Sequence, residues 1–204
     1  MTKSPIQTVT DKLQYRAIGI LKGVYSPNDV NQINRGIIID DKGEKIEAVV
    51  LGKALSLIKK YINLKMSYFW IVYPKNKNTQ SLHLQVVGIW DPYGLNKLIN
   101  DPSEKKTTQL LSEFNLQDNY FSIRGELVFV NTKKKEFVMK ICSSSKSKKF
   151  KNNNFKLVIE GELSLEFINS FLSLDVIRIG NTLRLVNYEF IEKLVQKNKS
   201  KMKN

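Results

Sequence analysis

The order of predicted elements in the first half of the chain most constrains its fold. "YRAIGILKGVY" over Tyr15–Tyr25 is rich in strand-forming residues, and Gly19 and Gly23 inside it indicate a curved or bulged first strand. "RGIIID" and "KIEAVVLG" flank Asp-Asp-Lys-Gly, a strong hairpin signal. An amphipathic helix, "KALSLIKKYI", then precedes two further strands, "YFWIVYP" and "LHLQVVGIW". Five short strands with a helix between the third and fourth are the outline of an OB-type Greek-key barrel.

The second half of the chain repeats this pattern. "YFSIRGELVFV" over Tyr120–Val130 and "EFVMKIC" enclose the turn "NTKKK", and "FKLVIEGEL" follows them. "LDVIRIGNTLRLV" over Leu174–Val186 contains Gly-Asn, another hairpin turn. The sequence therefore predicts a mainly β protein with minor α content, built as two small OB-like Greek-key barrels in tandem. An SH3-like barrel, or one larger sheet across both halves, remains an alternative.

Two breaks in the pattern divide the chain. Two Asp-Pro pairs and a charged middle separate the halves, which is typical of a linker with one short helix. The end of the chain, "FIEKLVQKNKSKMKN", has the spacing of a short amphipathic helix followed by lysines. The predicted segments are an N-terminal arm (1–14), a first OB-like barrel (15–91), a linker (92–117), a second OB-like barrel (118–187) and a basic C-terminal helix and tail (188–204).

The residues that catalysis or metal binding would need are sparse. His83 is the single histidine and Cys142 the single cysteine, so a zinc site of the usual kind cannot be assembled. No phosphate-binding glycine loop or nucleophile motif is present. The acidic pair Asp40 and Asp41 is explained by the hairpin turn that contains it. We therefore expect no enzyme activity, no catalytic residues, no bound metal and no cofactor.

The charge of the chain indicates its class of partner. There are 33 basic residues and 19 acidic ones, a net charge of +14, which attracts polyanions or an anionic membrane face. The 28 lysines and 19 asparagines beside 3 alanines are typical of an AT-rich genome, so part of the lysine excess reflects codon usage. No apolar run is long enough for a transmembrane segment and no signal peptide is visible, so we expect a soluble protein.

Three segments are candidates for binding nucleic acid: residues 131–154, "SYFWIVYPKNK" and the lysine-rich C-terminal tail. Residues 131–154 carry eight lysines and one acid, and Phe150 has no obvious core neighbour in its own segment. In "SYFWIVYPKNK", Trp70 and Tyr73 are stacking candidates, although core packing is favoured for Trp70. Solvated loops and a frayed tail are the alternative interpretation of the lysine runs. The candidate contacts are Lys75, Lys77, Lys133, Lys134, Lys135, Lys146, Lys148, Lys149, Phe150, Lys151, Lys197, Lys199 and Lys201.

Several words of the sequence resemble a conserved, uncharacterised protein family of cyanobacteria and algal plastids. They are "RAIGILKGVY", "IEAVVLGKALSLIKK", "WIVYP", "LHLQVVGIW", "YFSIRGE" and "IRIGN", which together span most of 16–181. The resemblance implies a plastid-encoded protein of the stroma. It implies no activity, cofactor or functional residue.

These observations together predict a binding protein. We expect non-catalytic binding of RNA or single-stranded DNA by lysine–phosphate contacts and aromatic stacking, in an accessory role in plastid gene expression. The alternative is a protein-interaction or assembly module without a nucleic-acid role, at the thylakoid surface. Its partner would be a protein complex of the gene-expression or photosynthetic apparatus.

Overall fold

The computed structural model describes residues 3–76, 81–93, 103–142 and 154–194 and is mainly β. Ten strands form one hydrogen-bonded network. The elements are β1 (Arg16–Pro27), β2 (Arg35–Ile39), β3 (Lys45–Val50), α1 (Gly52–Tyr61), β4 (Ser67–Asn76), β5 (Leu82–Trp90), α2 (Ser103–Glu113), β6 (Tyr120–Asn131), β7 (Glu136–Ile141), β8 (Phe155–Glu160), a single 3-10 turn (Leu165–Phe167), β9 (Ser170–Ile179) and β10 (Thr182–Lys193).

The first five strands close into a barrel. Their order is β1–β2–β3–β5–β4, and β4 pairs again with β1. Only β3 and β5 pair in parallel, and α1 connects β3 to β4 across one end of the barrel. This is the OB topology, and the prediction of a first OB-type barrel is confirmed.

The second five strands repeat that closure. Their order is β6–β7–β8–β10–β9, with β9 returning to β6, and β8 and β10 make the one parallel contact. The 3-10 turn takes the place that α1 has in the first barrel. The prediction of two OB-like barrels in tandem is therefore confirmed. The barrels are also joined, because β1 pairs antiparallel with β6 from Arg16↔Arg124 to Ile20↔Tyr120.

The predicted C-terminal helix is wrong over residues 188–193. These residues continue β10, which stays paired with β9 as far as Lys193↔Ser170. Tyr188 and Phe190 instead lie against the ring of Phe167, at centroid distances of 5.6 and 5.9 Å. The backbone hydrogen bonds to β9 and this aromatic packing together override the weak local helix preference. Residues 195–204 lie outside the described part of the chain.

The segment predicted as a linker packs against the first barrel. Its helix α2 places Leu111 against Phe69 and Trp90, and the Phe114 ring, just after α2, lies 6.3 Å from that of Trp90. Residues of the N-terminal segment are also held, since Trp90 Nε1 donates to the Lys3 carbonyl oxygen at 3.1 Å. The five segment limits themselves stay predictions.

Trp70 lies in the core of the first barrel. Its side chain is fully buried, and its Nε1 donates to the Gly23 carbonyl oxygen at 2.8 Å. Tyr25 and Tyr68 pack around it, each with its ring centroid 5.9 Å away. The proposal of Trp70 as a stacking residue is therefore wrong, because the inward face of β4 fills the barrel.

Gly19 lies where the two barrels touch. A Cβ atom at this position would lie 2.3 Å from Cδ1 of Phe121, its partner on β6. The missing side chain thus lets the Phe121 ring cover the β1 backbone, so a close approach accounts for this glycine.

Replacing Gly19 by alanine is expected to lower the free energy of unfolding by about 1–3 kcal/mol, because Phe121 must move out of a packed core. Urea unfolding followed by tryptophan fluorescence measures the change. Gly88→Ala is the matched control, because a Cβ atom there lies 3.5 Å from Ile71, an ordinary contact. Equal losses in the two variants would contradict the packing argument.

Candidate nucleic-acid interface

An exposed aromatic residue stands on the outward face of the second barrel. Phe129 on β6 is 51% exposed and lies opposite Val138 on β7. Val138 in turn lies opposite Val158 on β8, so the three side chains form a row across three strands. We call this row the Phe129 platform. A flat ring flanked by β-branched side chains is a surface on which a nucleobase can stack.

A β-bulge directs Phe129 outward. Leu127 pairs with Met139 and Phe129 with Val138, so Val128 is an extra residue between the two pairs. Without the bulge, strict alternation would place Phe129 on the same inward face as Leu127. Bulges commonly redirect a side chain in this way beside functional sites.

A pair of lysines borders the Phe129 platform. Lys140 on β7 lies directly opposite Lys156 on β8, one outward position beyond Val138 and Val158. Lys140 Nζ donates to Glu126 at 2.8 Å, and this hydrogen bond raises the pKa of the Lys140 ammonium. Both lysines lie at the end of the β7–β8 pair where β7 ends and β8 begins.

The predicted contact residue Lys75 reaches the same end of the second barrel. Its Nζ lies 3.0 Å from the ring centroid of Phe155, the first residue of β8. The neighbouring Asn76 side-chain oxygen accepts a hydrogen bond from the Val158 amide at 3.2 Å. Burial lowers the pKa of the Lys75 ammonium. The end of β4 in the first barrel is thereby attached to β8, beside the platform.

The outward face of the first barrel carries a second set of candidates. Tyr73 on β4 is 40% exposed and pairs with Gln85 on β5. Gln85 lies beside Val49 on β3, and Val49 is opposite Arg35 on β2. An open groove of about 490 Å³ crosses β2 and β3 at this point. Tyr73 thus remains a stacking candidate, near a groove that is lined by both polar and apolar residues.

The predicted lysines of the β6–β7 turn lie elsewhere. Lys133, Lys134 and Lys135 precede β7, whereas Lys140 is near its far end, so the two groups are roughly 17 Å apart along an extended strand. Lys135 pairs with Glu162 at 2.6 Å, which raises the pKa of the lysine and lowers that of the glutamate. The structure therefore places Lys75, Lys140 and Lys156 at one end of the β7–β8 pair, and the turn lysines lie at the other end.

The predicted contact residues and the residues of the observed surface overlap only in part. Sequence reasoning did not select Phe129, Lys140, Lys156 or Arg35. The position of Lys140 and Lys156 beside the lysine-rich segment was a signal in the sequence that could have identified them. Phe129 gave no such signal, because alternation along β6 predicts that its side chain points inward. The candidates that lie outside the described residues are Lys77, Lys146, Lys148, Lys149, Phe150, Lys151, Lys197, Lys199 and Lys201.

Other kinds of site find little support in the described residues. Within the described ranges, no three histidine, cysteine or acidic side chains are grouped as metal ligands would be. In the same part of the chain, no helix has the length and apolarity needed to cross a membrane.

Comparison with known families supports this interpretation of the fold. Residues 17–97 match the model of the N-terminal OB-fold domain of the PatR RNA-binding protein. Residues 123–192 match the model described as the C-terminal cyanobacterial OB-fold-like RNA-binding domain. The two matches together span most of the chain. The chain belongs to the PatR family of RNA-binding proteins.

Both PatR family descriptions are of RNA-binding domains, and this protein binds nucleic acid. The predicted membership of a family of cyanobacteria and plastids is confirmed, because the model that matches the C-terminal domain is described as cyanobacterial. No curated protein sequence matches the chain. A deletion mutant of the single-stranded DNA-binding protein from Thermus aquaticus superposes on 89% of this chain and 95% of that one, with 10% identity and a TM-score of 0.37. That superposition is too loose to inform the site.

Proposed function

We propose that the protein binds single-stranded RNA along the outward faces of both barrels, without catalysis. Bases stack on Phe129 and Tyr73, and the backbone phosphates lie against Lys75, Lys140 and Lys156. In OB folds the face of strands two and three and the adjoining loops bind oligonucleotides. Lys140 and Lys156 lie on strands two and three of the second barrel, and Phe129 lies on its neighbouring first strand. Tyr73 and Lys75 lie on the fourth strand of the first barrel. Lysine contributes affinity without reading bases, and aromatic rings add stacking.

The contact between Lys75 and Phe155 supports one path rather than two. It places the end of β4, from the first barrel, against β8, which carries part of the Phe129 platform. A strand of RNA that leaves the platform past Lys156 therefore meets Lys75 next. This neighbourhood also lies where the basic segment 143–153 joins β7 and β8.

The observation that carries the proposal is the outward Phe129. A phenylalanine that is 51% exposed on a β face contributes little to the core, and bulges like the one that directs it outward are common beside functional sites.

Phe129→Ala is expected to weaken binding of a short oligouridylate by about 5- to 150-fold, since stacking on one aromatic ring contributes about 1–3 kcal/mol per base. Fluorescence anisotropy with a labelled oligonucleotide at low salt measures the affinity. Tyr61→Ala is the matched control, because Tyr61 is also 51% exposed but lies at the end of α1. Unchanged affinity in Phe129→Ala, or the same loss in both variants, would contradict the proposed site.

The proposed cellular role is an accessory one in plastid gene expression. The cyanobacterial family description and the AT-rich composition support an accessory role in gene expression in a plastid. A protein complex as partner stays a prediction. Affinity purification from nuclease-treated extract tests it, because a partner that persists after nuclease treatment is held by protein contacts.

A further inference from the structure

The groove on the first barrel has a chemistry that differs from that of the Phe129 platform. It is lined by residues of β2, β3 and β5, and its volume of about 490 Å³ lies in the range of about 300–1,000 Å³ typical of small-ligand sites. The outward side chains that line it on β2 and β3 are one basic, one acidic and two aliphatic: Arg35, Glu47, Ile37 and Val49. Asn28 and His83 also line the groove. A site for phosphate alone would not place a carboxylate here, because the two negative groups repel each other.

The register of β2 and β3 arranges these four side chains as the corners of a rectangle. Arg35 lies opposite Val49, and Ile37 lies opposite Glu47. Arg35 and Glu47 are therefore diagonal neighbours, about 7–8 Å apart at the backbone. Both are exposed, whereas Ile37 and Val49 are half-buried. The apolar diagonal offers a floor for the face of a planar ring, and the charged diagonal offers hydrogen-bonding groups at two of its edges.

Guanine is the base that matches both charged corners. Its Watson–Crick edge presents two adjacent donors, N1–H and N2–H, which a carboxylate can accept together. Its O6 and N7 are acceptors for the two parallel donors of a guanidinium. Adenine, cytosine and uracil lack the pair of adjacent donors that a carboxylate needs. Single-stranded RNA exposes these edges, so a protein can read them directly.

We infer that this groove is a guanine-recognition site, in which Glu47 accepts from the Watson–Crick edge, Arg35 donates to O6 and N7, and Ile37 and Val49 support the ring. The inference rests on the proposed function, because it makes the groove one position along the same RNA path. The Phe129 platform holds any base, whereas the groove selects one. The protein therefore binds single-stranded RNA with a preference set by the first barrel.

The test compares short oligouridylates that carry one central guanosine, inosine, adenosine or no substitution, using the full-length chain and anisotropy titration. Guanosine is expected to bind about 5- to 150-fold more tightly than adenosine, the discrimination that one good bidentate contact supplies. Inosine lacks the N2 amino group, and its oligonucleotide is expected to bind with an affinity between those of the guanosine and adenosine oligonucleotides. Glu47→Gln should remove most of the guanosine preference, so that guanosine and adenosine oligonucleotides bind with similar affinity.

Glu189→Gln is the matched control. Glu189 is exposed on β10 of the second barrel, so its replacement removes the same negative charge without altering the groove. It should keep the guanosine preference. Thermal unfolding checks that both variants fold.

The outcomes separate this inference from the proposed function. Tight binding of all four oligonucleotides with equal affinity would overturn guanine recognition and leave RNA binding intact. A guanosine preference that persists in Glu47→Gln would also overturn it, because the selection would lie elsewhere. No binding of any oligonucleotide at low salt would instead overturn the proposed function.

Discussion

Replacing Arg178 by methionine is expected to lower the free energy of unfolding by about 3–5 kcal/mol, because it leaves a buried carboxylate without its partner. Arg178 on β9 binds Asp40 in the β2–β3 turn, and the two side chains are only 1% and 3% exposed. The guanidinium also donates to Asn119 at 2.7 Å and to Glu44 at 3.0 Å. This cluster joins the two barrels at the ends of their strands.

Urea unfolding measures the loss. Arg184→Met is the matched control, since Arg184 also forms an ion pair, with Glu160 at 3.2 Å, but with side chains that are 53% and 40% exposed. An exposed pair contributes about 0–1 kcal/mol. A similar loss in both variants would show that the burial of the Arg178 pair does not determine its contribution.

The stability that this cluster contributes depends on pH, and the direction of the dependence follows from the pKa of Asp40. Burial alone would raise the pKa of its carboxyl, but hydrogen bonds from the Glu44 amide, Arg178 and the Lys42 amide outweigh it, and the pKa is lowered. A carboxyl whose pKa is lower in the folded than in the unfolded protein stabilises the fold at pH values above its unfolded pKa, about 3.9. That contribution is lost as the pH falls through the pKa of the folded protein. Wild type should therefore lose more stability than Arg178→Met between pH 7 and about pH 3.

The second large effect is the salt dependence of RNA binding. For single strands, each neutralised phosphate contributes about −0.7 to the slope of log K against log salt, so contacts to three phosphates would lower the affinity about 130-fold for a tenfold increase in salt. Replacing Lys75, Lys140 and Lys156 by glutamine should make the slope less steep by about 2, because three phosphate contacts are removed. Titrations at four or more salt concentrations would measure it.

The control replaces three lysines that lie away from the proposed path. Lys53, Lys59 and Lys60 are exposed on α1, so their substitution by glutamine changes the net charge equally. Their variant should keep the wild-type slope. Equal slopes for the two triple variants would mean that the overall charge of the protein, and no particular surface, binds the RNA.

Local patterns were sufficient to predict the barrels. The hairpin at Asp40 and Asp41, the helix α1 and the Gly-Asn turn before β10 each depend on residues close in sequence, which is why their positions could be predicted. The β10 extension to Lys193 could not, because its pairing with Ser170 depends on a strand that local spacing does not reveal. Lys75 was predicted as a contact, but its position over Phe155 depends on how the two barrels meet.

The sequence by itself determined the alternation, turns and charge of this protein, since these depend on neighbouring residues. Only the tertiary structure decided that the ring of Phe129 is exposed and that of Trp70 is buried. Alternation alone places Phe129 inside, and the bulge at Val128 turns it to solvent, while barrel closure buries Trp70. The pairing of β1 with β6 likewise joins segments that lie far apart in the sequence, which no local pattern predicts.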